Sequence, residues 1–139
     1  MTKKIRVLFI CTANAARSQI AEGLLRAKYG DRYEVFSAGT RQSRVSRSAI
    51  RVMGEIGIDI SHHTSKTLDV FIGEPVDIVV TVCDRARESC PVFPRAHRQI
   101  HRGFSDPYTP KTNDGETLRE YRTIRDEIAA WIETEFGPK

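Results

Sequence analysis

The segment that decides the fold covers residues 5–25 and reads IRVLFICTANAARSQIAEGLL. Its first part is mostly apolar and rich in β-branched residues, which predicts a strand over residues 5–10. Apolar residues then recur at helical spacing and predict a helix over residues 18–29: Ile20, Ala21, Leu24, Leu25 and Ala27. The pattern therefore predicts a strand, a short loop and a helix in direct succession.

The loop between these two elements has the composition of an anion-binding turn. Successive backbone N–H groups that lead into a helix can curl around an anion. Arg17 adds a planar guanidinium that matches a tetrahedral oxyanion, and Cys11 in the same positive field is expected to act as a thiolate nucleophile. The alternative is that Cys11 is a buried residue closing a core strand. The predicted oxyanion-binding residues are Thr12, Ala13, Asn14, Ala15, Ala16, Arg17 and Ser18.

The rest of the chain alternates strand and helix patterns. Strands are predicted over residues 33–38, 76–82 and 98–102, and helices over residues 46–56, shortly after Ser65, and from a capping pair at Asn113 and Glu116 to the C-terminus. Residues 103–113 are predicted to be loop. This order predicts an α/β fold in which helices flank a four-stranded parallel sheet as a three-layer sandwich. Ligands bind at the carboxyl ends of such strands, where Cys11 and Cys83 are expected.

Length and composition exclude several classes of protein. A chain of 139 residues with 40% hydrophobic residues predicts a single domain over residues 1–139. The net charge of +4 is spread along the chain, so no nucleic-acid partner is expected. No apolar stretch is long enough to span a membrane, and the first residues do not resemble a signal peptide. We therefore expect a cytoplasmic protein, whose three cysteines suit redox or metal chemistry better than structural disulfides.

A family resemblance extends along nearly the whole chain. Residues 11–23 resemble the phosphate-binding loop shared by low-molecular-weight protein tyrosine phosphatases and thioredoxin-coupled arsenate reductases. Cys83 and Cys90 coincide with the two resolving cysteines of the reductases. Further matches to the reductases are Ser37-Ala-Gly39, Ile58-Asp-Ile-Ser61, His63-Thr-Ser65, Val79-Val-Thr-Val-Cys83, Cys90-Pro91, Gly103-Phe104, Asp106-Pro107 and Arg125-Asp-Glu-Ile128.

The resemblance implies a mechanism and its participants. Cys11 would attack arsenate while Asp106 protonates the leaving oxygen, and Cys83 would then attack Cys11 to release arsenite. The Cys11–Cys83 disulfide would be intermediate, and Cys90 would convert it into a Cys83–Cys90 disulfide that thioredoxin reduces with electrons from NADPH through thioredoxin reductase. The reductase reading implies arsenic detoxification by a monomer without a tightly bound cofactor or metal. Phosphate and sulfate would compete with arsenate.

Other functional hypotheses for the same residues stay open. A phosphatase is the main alternative, because Asp106-Pro-Tyr108 resembles the general-acid loop of that family, although residues 41–47 lack an aromatic residue to hold a phosphotyrosine ring. The order of Cys83, Cys90, His97 and His101 allows a zinc site with poor spacing. A redox or oxyanion sensor using the three thiols is a third reading.

A potassium site is known in some relatives, and this chain matches it in part. Asn14, Glu22 and Ser37 coincide with three of its ligands, and Lys66 stands at the fourth position. We expect the ammonium group of Lys66 to replace the cation, which predicts activity without potassium. His62 and His63 are expected to be surface or capping residues and are assigned no role.

Overall fold

A computed structural model describes residues 3–84, 86, 93, 96–105, 107 and 114–138. The described part contains four strands and three α-helices, and all strand pairs are parallel. The strands are β1 (Ile5–Cys11), β2 (Tyr33–Gly39), β3 (Ile78–Thr81) and β4 (Arg98–His101). The helices are α1 (Arg17–Tyr29), α2 (Arg47–Glu55) and α3 (Asp114–Phe136), with a short 3-10 helix at Leu68–Val70.

The strand order β2-β1-β3-β4 places β1 and β3 in the centre of the sheet. In the register, Cys11 is paired with Gly39, Ile10 with Thr81, and Thr81 with His101. The carboxyl ends of all four strands therefore meet at one edge of the sheet. Cys11 ends β1 at this edge, and Cys83 follows the end of β3.

The sheet is covered on both faces. Phe9 and Tyr33 contact the ring of Phe136 in α3, with centroids 6.1 and 5.3 Å apart. On the other face, Phe36 packs against Phe71 at 5.5 Å, just after the 3-10 helix. Strand residues buried on both faces are typical of parallel sheets. The predicted α/β class and the parallel sheet flanked by helical layers are confirmed.

The predicted elements are confirmed with small changes at their ends. The third strand was predicted over residues 76–82 but covers only Ile78–Thr81. Val76 and Val82 are buried although they lie outside the hydrogen-bonded strand, so the apolar pattern is longer than the strand. The helix predicted over residues 46–56 begins after Ser46, whose Oγ accepts the backbone N–H of Ala49 at 3.2 Å. The predicted cap at Asn113 lies outside the described residues. None of the helices in the described ranges has the length and apolar character that crossing a bilayer requires.

Candidate active site

The loop after β1 is organised around the buried side chain of Asn14. Asn14 adopts a positive φ of 51°, which is uncommon for a residue other than glycine. Its Nδ2 donates to Ser18 Oγ and to Ser37 Oγ, both at 2.8 Å, and its Oδ1 accepts the backbone N–H of Lys66 at 2.8 Å. These bonds join β2, the start of α1 and the segment before the 3-10 helix, so they fix the turn that the loop makes.

Cys11 lies at the base of this loop and is almost fully buried. Its Sγ is 2.8 Å from Ser18 Oγ in the first turn of α1. The residues that follow, 12–16, lead directly into the N-terminus of α1, where unpaired backbone N–H groups favour an anion. The arrangement brings the predicted nucleophile and the predicted anion loop together.

Gly39 allows β2 to approach this loop very closely. A Cβ at this position would lie 2.7 Å from Thr12 O, 2.8 Å from Asn14 N and 2.9 Å from Ala13 C. These are backbone atoms, so the loop itself would have to move to admit any other residue. The requirement for glycine here comes from space and not from backbone conformation.

Arg17 is the first residue of α1, at the edge of the loop. Its Nη1 donates to the carbonyl oxygen of Phe104 at 3.1 Å. Phe104 is buried, packs edge-on against Trp131 and carries the guanidinium of Arg102 at 4.4 Å above its ring. The loop after β4 thus orients the arginine that was predicted to bind the oxyanion. Asp106, the predicted general acid on the same loop, lies outside the described residues.

Cys83 reaches the anion loop from β3. Its Sγ is 3.3 Å from Thr12 Oγ1 and 3.4 Å from the backbone N of Ala86, which donates to it. Cys11 and Cys83 are both buried and both free thiols. The structure therefore brings two of the three predicted cysteines to the same loop. The contact between the Thr12 hydroxyl and Cys83 Sγ was not predicted from the sequence. Cys90 lies outside the described residues.

The structure opposes the zinc reading. His101 Nδ1 is 2.8 Å from Thr81 Oγ1, and its Nε2 is 2.8 Å from Asp84 Oδ1. His97 lies at the opposite end of β4, where its backbone N–H bonds to Asp77 O. Three residues lie between the two histidines, so their Cα atoms are about 13 Å apart along extended backbone. Among the described residues no cluster of His, Cys, Asp and Glu could hold a metal ion.

Arg26 and Lys66 both lie near Glu22, and the replacement of a potassium ion by Lys66 stays a prediction. Glu22 pairs with the guanidinium of Arg26 at 2.6 Å, whereas Lys66 Nζ donates to Thr64 O at 2.7 Å. Arg26 is four residues after Glu22 on the same helix, and this spacing places the two side chains together. Burial lowers the pKa of Lys66, against the opposing effect of Glu22. Arg26 is therefore the direct cationic partner of Glu22.

His63, to which the sequence assigned no role, belongs to the same network. Arg26 Nη1 lies 3.1 Å from His63 Nε2, and because arginine only donates, this nitrogen accepts. His63 Nδ1 then donates to Gln19 Oε1 at 2.9 Å, and Gln19 Nε2 donates to Asn14 O at 3.1 Å. Burial lowers the pKa of His63. The neutral ring thus supports the anion loop from behind.

An open cleft lies in front of the loop. Its basic border is formed by Arg41, Arg44 and Arg47. Four arginines line the cleft, together with polar, small apolar and aromatic residues. The described lining residues include Cys11, Thr12, Arg17, Arg41, Ser43, Arg44, Ser46, Arg47, Cys83 and Asp84. A cleft with this excess of positive charge favours small anions.

The chain belongs to the low molecular weight phosphotyrosine protein phosphatase family, whose model matches residues 6–134. Within it, the chain is 45% identical over 132 residues to arsenate reductase 1 of Staphylococcus epidermidis, covering 95% of this chain and 96% of that protein. It is 42% identical over 134 residues to an arsenate reductase of Halalkalibacterium halodurans, covering 96% of each. Among solved structures it resembles "An arsenate reductase in the phosphate binding state", with a TM-score of 0.80, 32% identity, and coverage of 94% of this chain and 95% of that one. The family resemblance is confirmed.

Proposed function

We propose that this protein reduces arsenate to arsenite with Cys11 as nucleophile and Cys83 as the first resolving thiol. The observation that carries the proposal is the meeting of two buried free thiols at the ends of paired strands, with Thr12 Oγ1 3.3 Å from Cys83 Sγ. A phosphatase needs only one thiol, so a second thiol beside the loop favours reduction. The names of the similar proteins support the same choice.

The chemistry balances with two thiols as the source of two electrons. Cys11 thiolate bonds to arsenic and a protonated oxygen leaves as water, with Asp106 as the proposed proton donor. Cys83 thiolate then attacks Cys11 Sγ, the sulfur–arsenic bond breaks, and its electron pair stays on arsenic as arsenite is released. Overall, hydrogen arsenate, two thiols and two protons give arsenous acid, one disulfide and one water.

Regeneration requires a further thiol pair. Cys90 attacks Cys83 in the Cys11–Cys83 disulfide and frees Cys11, and thioredoxin reduces the resulting Cys83–Cys90 disulfide. NADPH supplies the electrons through thioredoxin reductase. This scheme rests on the resemblance in sequence and on the reducing chemistry of the cytosol, where arsenic detoxification would take place.

The test is arsenate-dependent oxidation of NADPH coupled through thioredoxin and thioredoxin reductase. Wild type should turn over, and Cys11→Ser, Cys83→Ser and Cys90→Ser should each stall. The stalled Cys90→Ser protein should accumulate a Cys11–Cys83 disulfide after one arsenite is released, which mass spectrometry of peptides can detect. The proposal is wrong if Cys83→Ser sustains wild-type turnover.

A phosphatase is the second candidate, because the whole family shares the loop around Cys11. The cleft border argues against an aryl phosphate as the main substrate, since the segment from Arg41 to Arg47 contributes charged and small polar groups rather than an aromatic face. Efficient hydrolysis of an aryl phosphate that is unchanged in Cys83→Ser, with arsenate inert, would reverse the assignment.

A further inference from the structure

Two helices point their N-termini at the same cleft, and both begin with an arginine. Arg17 opens α1 and Arg47 opens α2, and neither helix has an acidic residue in its first turn. The backbone N–H of Ser46 donates to Ala15 O at 2.8 Å, which joins the start of α2 to the anion loop. Helix N-termini favour acidic residues, so Arg47 opposes the helix dipole, and helix formation does not explain its presence.

The arginines on the cleft border also differ from most others in the chain. Elsewhere Arg26 pairs with Glu22, Arg98 with Glu135, and Arg122 with Glu55. Within the described ranges, by contrast, no carboxylate forms an ion pair with Arg41, Arg44 or Arg47. Asp84 is the one acidic residue among the described lining residues. The positive charge of this border is therefore left available to the cleft.

The segment that carries these arginines is fixed against the loop. The backbone N–H of Thr40 donates to Cys11 O at 3.2 Å, and that of Arg41 donates to Thr12 O at 3.0 Å. The backbone N–H of Ser43 donates to Ser65 Oγ at 2.9 Å, and the same hydroxyl donates to Ala13 O at 2.9 Å. These bonds tie the backbone of the border to the loop that follows Cys11.

We propose that Arg41, Arg44 and Arg47 form an electrostatic filter that separates the substrate from the product by charge. The filter rests on the proposed function for its product. Arsenate carries one or two negative charges near pH 7, whereas arsenous acid is neutral there. The border attracts the anion toward Cys11 and exerts no such attraction on the neutral product. The border thereby controls the capture of arsenate and its discrimination from arsenous acid, while the thiols carry out the chemical steps.

The first test measures capture without using arsenate. Iodoacetate and iodoacetamide alkylate a thiol by the same reaction, but only iodoacetate is charged, so the ratio of their rates at Cys11 reports the local potential and cancels changes in thiol reactivity. Peptide mass spectrometry assigns the alkylation to Cys11. In low salt, Arg44→Glu and Arg47→Glu should each lower this ratio about fivefold, as expected for a charge reversal roughly 8 Å away. In 0.5 M salt the effect should largely disappear.

Arg51→Glu is the matched control. Arg51 is exposed on α2, one turn beyond Arg47, and does not line the cleft. Its reversal changes the net charge of the protein equally, but the charge lies about one helical turn farther from Cys11, so the ratio should fall clearly less than in the border variants. An equal fall in Arg51→Glu, or an unchanged ratio in both border variants, would overturn the filter. Misfolding is excluded if Arg47→Glu, which relieves the conflict with the helix dipole, melts no lower than wild type.

The second test measures discrimination during turnover. Arg44→Glu should lower kcat/KM for arsenate about fivefold with kcat unchanged, and should weaken inhibition by phosphate but not by arsenite. A matching loss of arsenite inhibition would contradict the filter. If wild type does not reduce arsenate while the alkylation ratio falls as expected, the proposed function and the product half of the filter both fail, and capture of oxyanions stands alone.

Discussion

The carboxyl ends of β1 and β3 lie side by side in the sheet, yet their cysteines are held differently. The loop after Cys11 is tied by buried hydrogen bonds from Asn14 and Gln19 and by the close approach of Gly39. Cys83 has a Thr12 hydroxyl and one backbone N–H as described hydrogen-bond partners. In the proposed function, Cys11 has to hold a tetrahedral anion and gains from a preorganised site. The proposed resolving thiol has to change partners and gains from fewer constraints.

Removing the side chain at the centre of the Cys11 loop should have the largest effect. Asn14→Ala places alanine at a positive φ and removes donors and acceptors from a buried network, which should lower the free energy of unfolding by about 2–4 kcal/mol. Asn14→Gly keeps the backbone conformation accessible and should lose less. Urea denaturation measures both variants. Equal losses would mean that hydrogen bonding alone, without backbone strain, holds the loop.

The close approach of β2 gives the next largest effect. Gly39→Ala forces backbone atoms apart and should lower the free energy of unfolding by about 1–3 kcal/mol. In the same variant, phosphate should protect Cys11 less well against alkylation by iodoacetamide. Gly54→Ala is the control, because a Cβ there meets nothing within 4 Å, and a helical alanine should instead stabilise by about 0.5–1 kcal/mol. A Gly39→Ala protein with the wild-type free energy of unfolding and wild-type phosphate protection of Cys11 would refute tight packing of the loop.

The Cys83 end should respond in reactivity more than in stability. Asp84 is highly exposed and bonds to His101 at 2.8 Å, and exposed pairs contribute little to global stability. Asp84→Ala removes a negative charge next to Cys83 and should raise the alkylation of Cys83 by iodoacetate a few-fold, with a smaller rise at Cys11, because Asp84 also lines the cleft in front of Cys11. Asp84→Asn removes the same charge and should give the same acceleration as Asp84→Ala if charge is the cause. An equal acceleration at both cysteines would show that the two ends are not independent.

The smallest effect concerns pH. Burial lowers the pKa of His63 in the folded protein, whereas the unfolded chain titrates near 6.5. The unfolded state therefore binds a proton more readily, so stability is complete above about pH 6.5 and falls as the pH decreases below this value. His63→Asn can keep the bond to Gln19 and should flatten this decline. His62→Asn removes only a minor cause of the lowered pKa of His63 and should flatten the decline much less. Thermal melts between pH 5 and 8 would decide.

The sequence predicted the features that depend on local pattern. In residues 5–25 the apolar residues follow a strand pattern, then a loop, then a helical spacing. These local patterns were sufficient to predict β1, the anion loop and α1. The contact of Cys83 with Thr12 depends on β3 pairing with β1, which no spacing along the chain reveals. The pairing of Glu22 with Arg26 depends on the helical geometry of α1 and was not anticipated from the sequence.

The hydrogen bonds of Asn14 also impose an order on the protons around Cys11. Both N–H groups of the Asn14 amide are used as donors, one to Ser18 Oγ and one to Ser37 Oγ, and Ser37 Oγ donates to Glu22 Oε1 at 2.5 Å. The oxygen of Ser18 is occupied as an acceptor, so its own hydrogen is free to point at the sulfur 2.8 Å away. Rotating the amide would place its NH2 group against the backbone N–H of Lys66, which Oδ1 accepts at 2.8 Å. The Ser18 hydroxyl is thus placed to donate to the sulfur, and this arrangement does not depend on a bound anion.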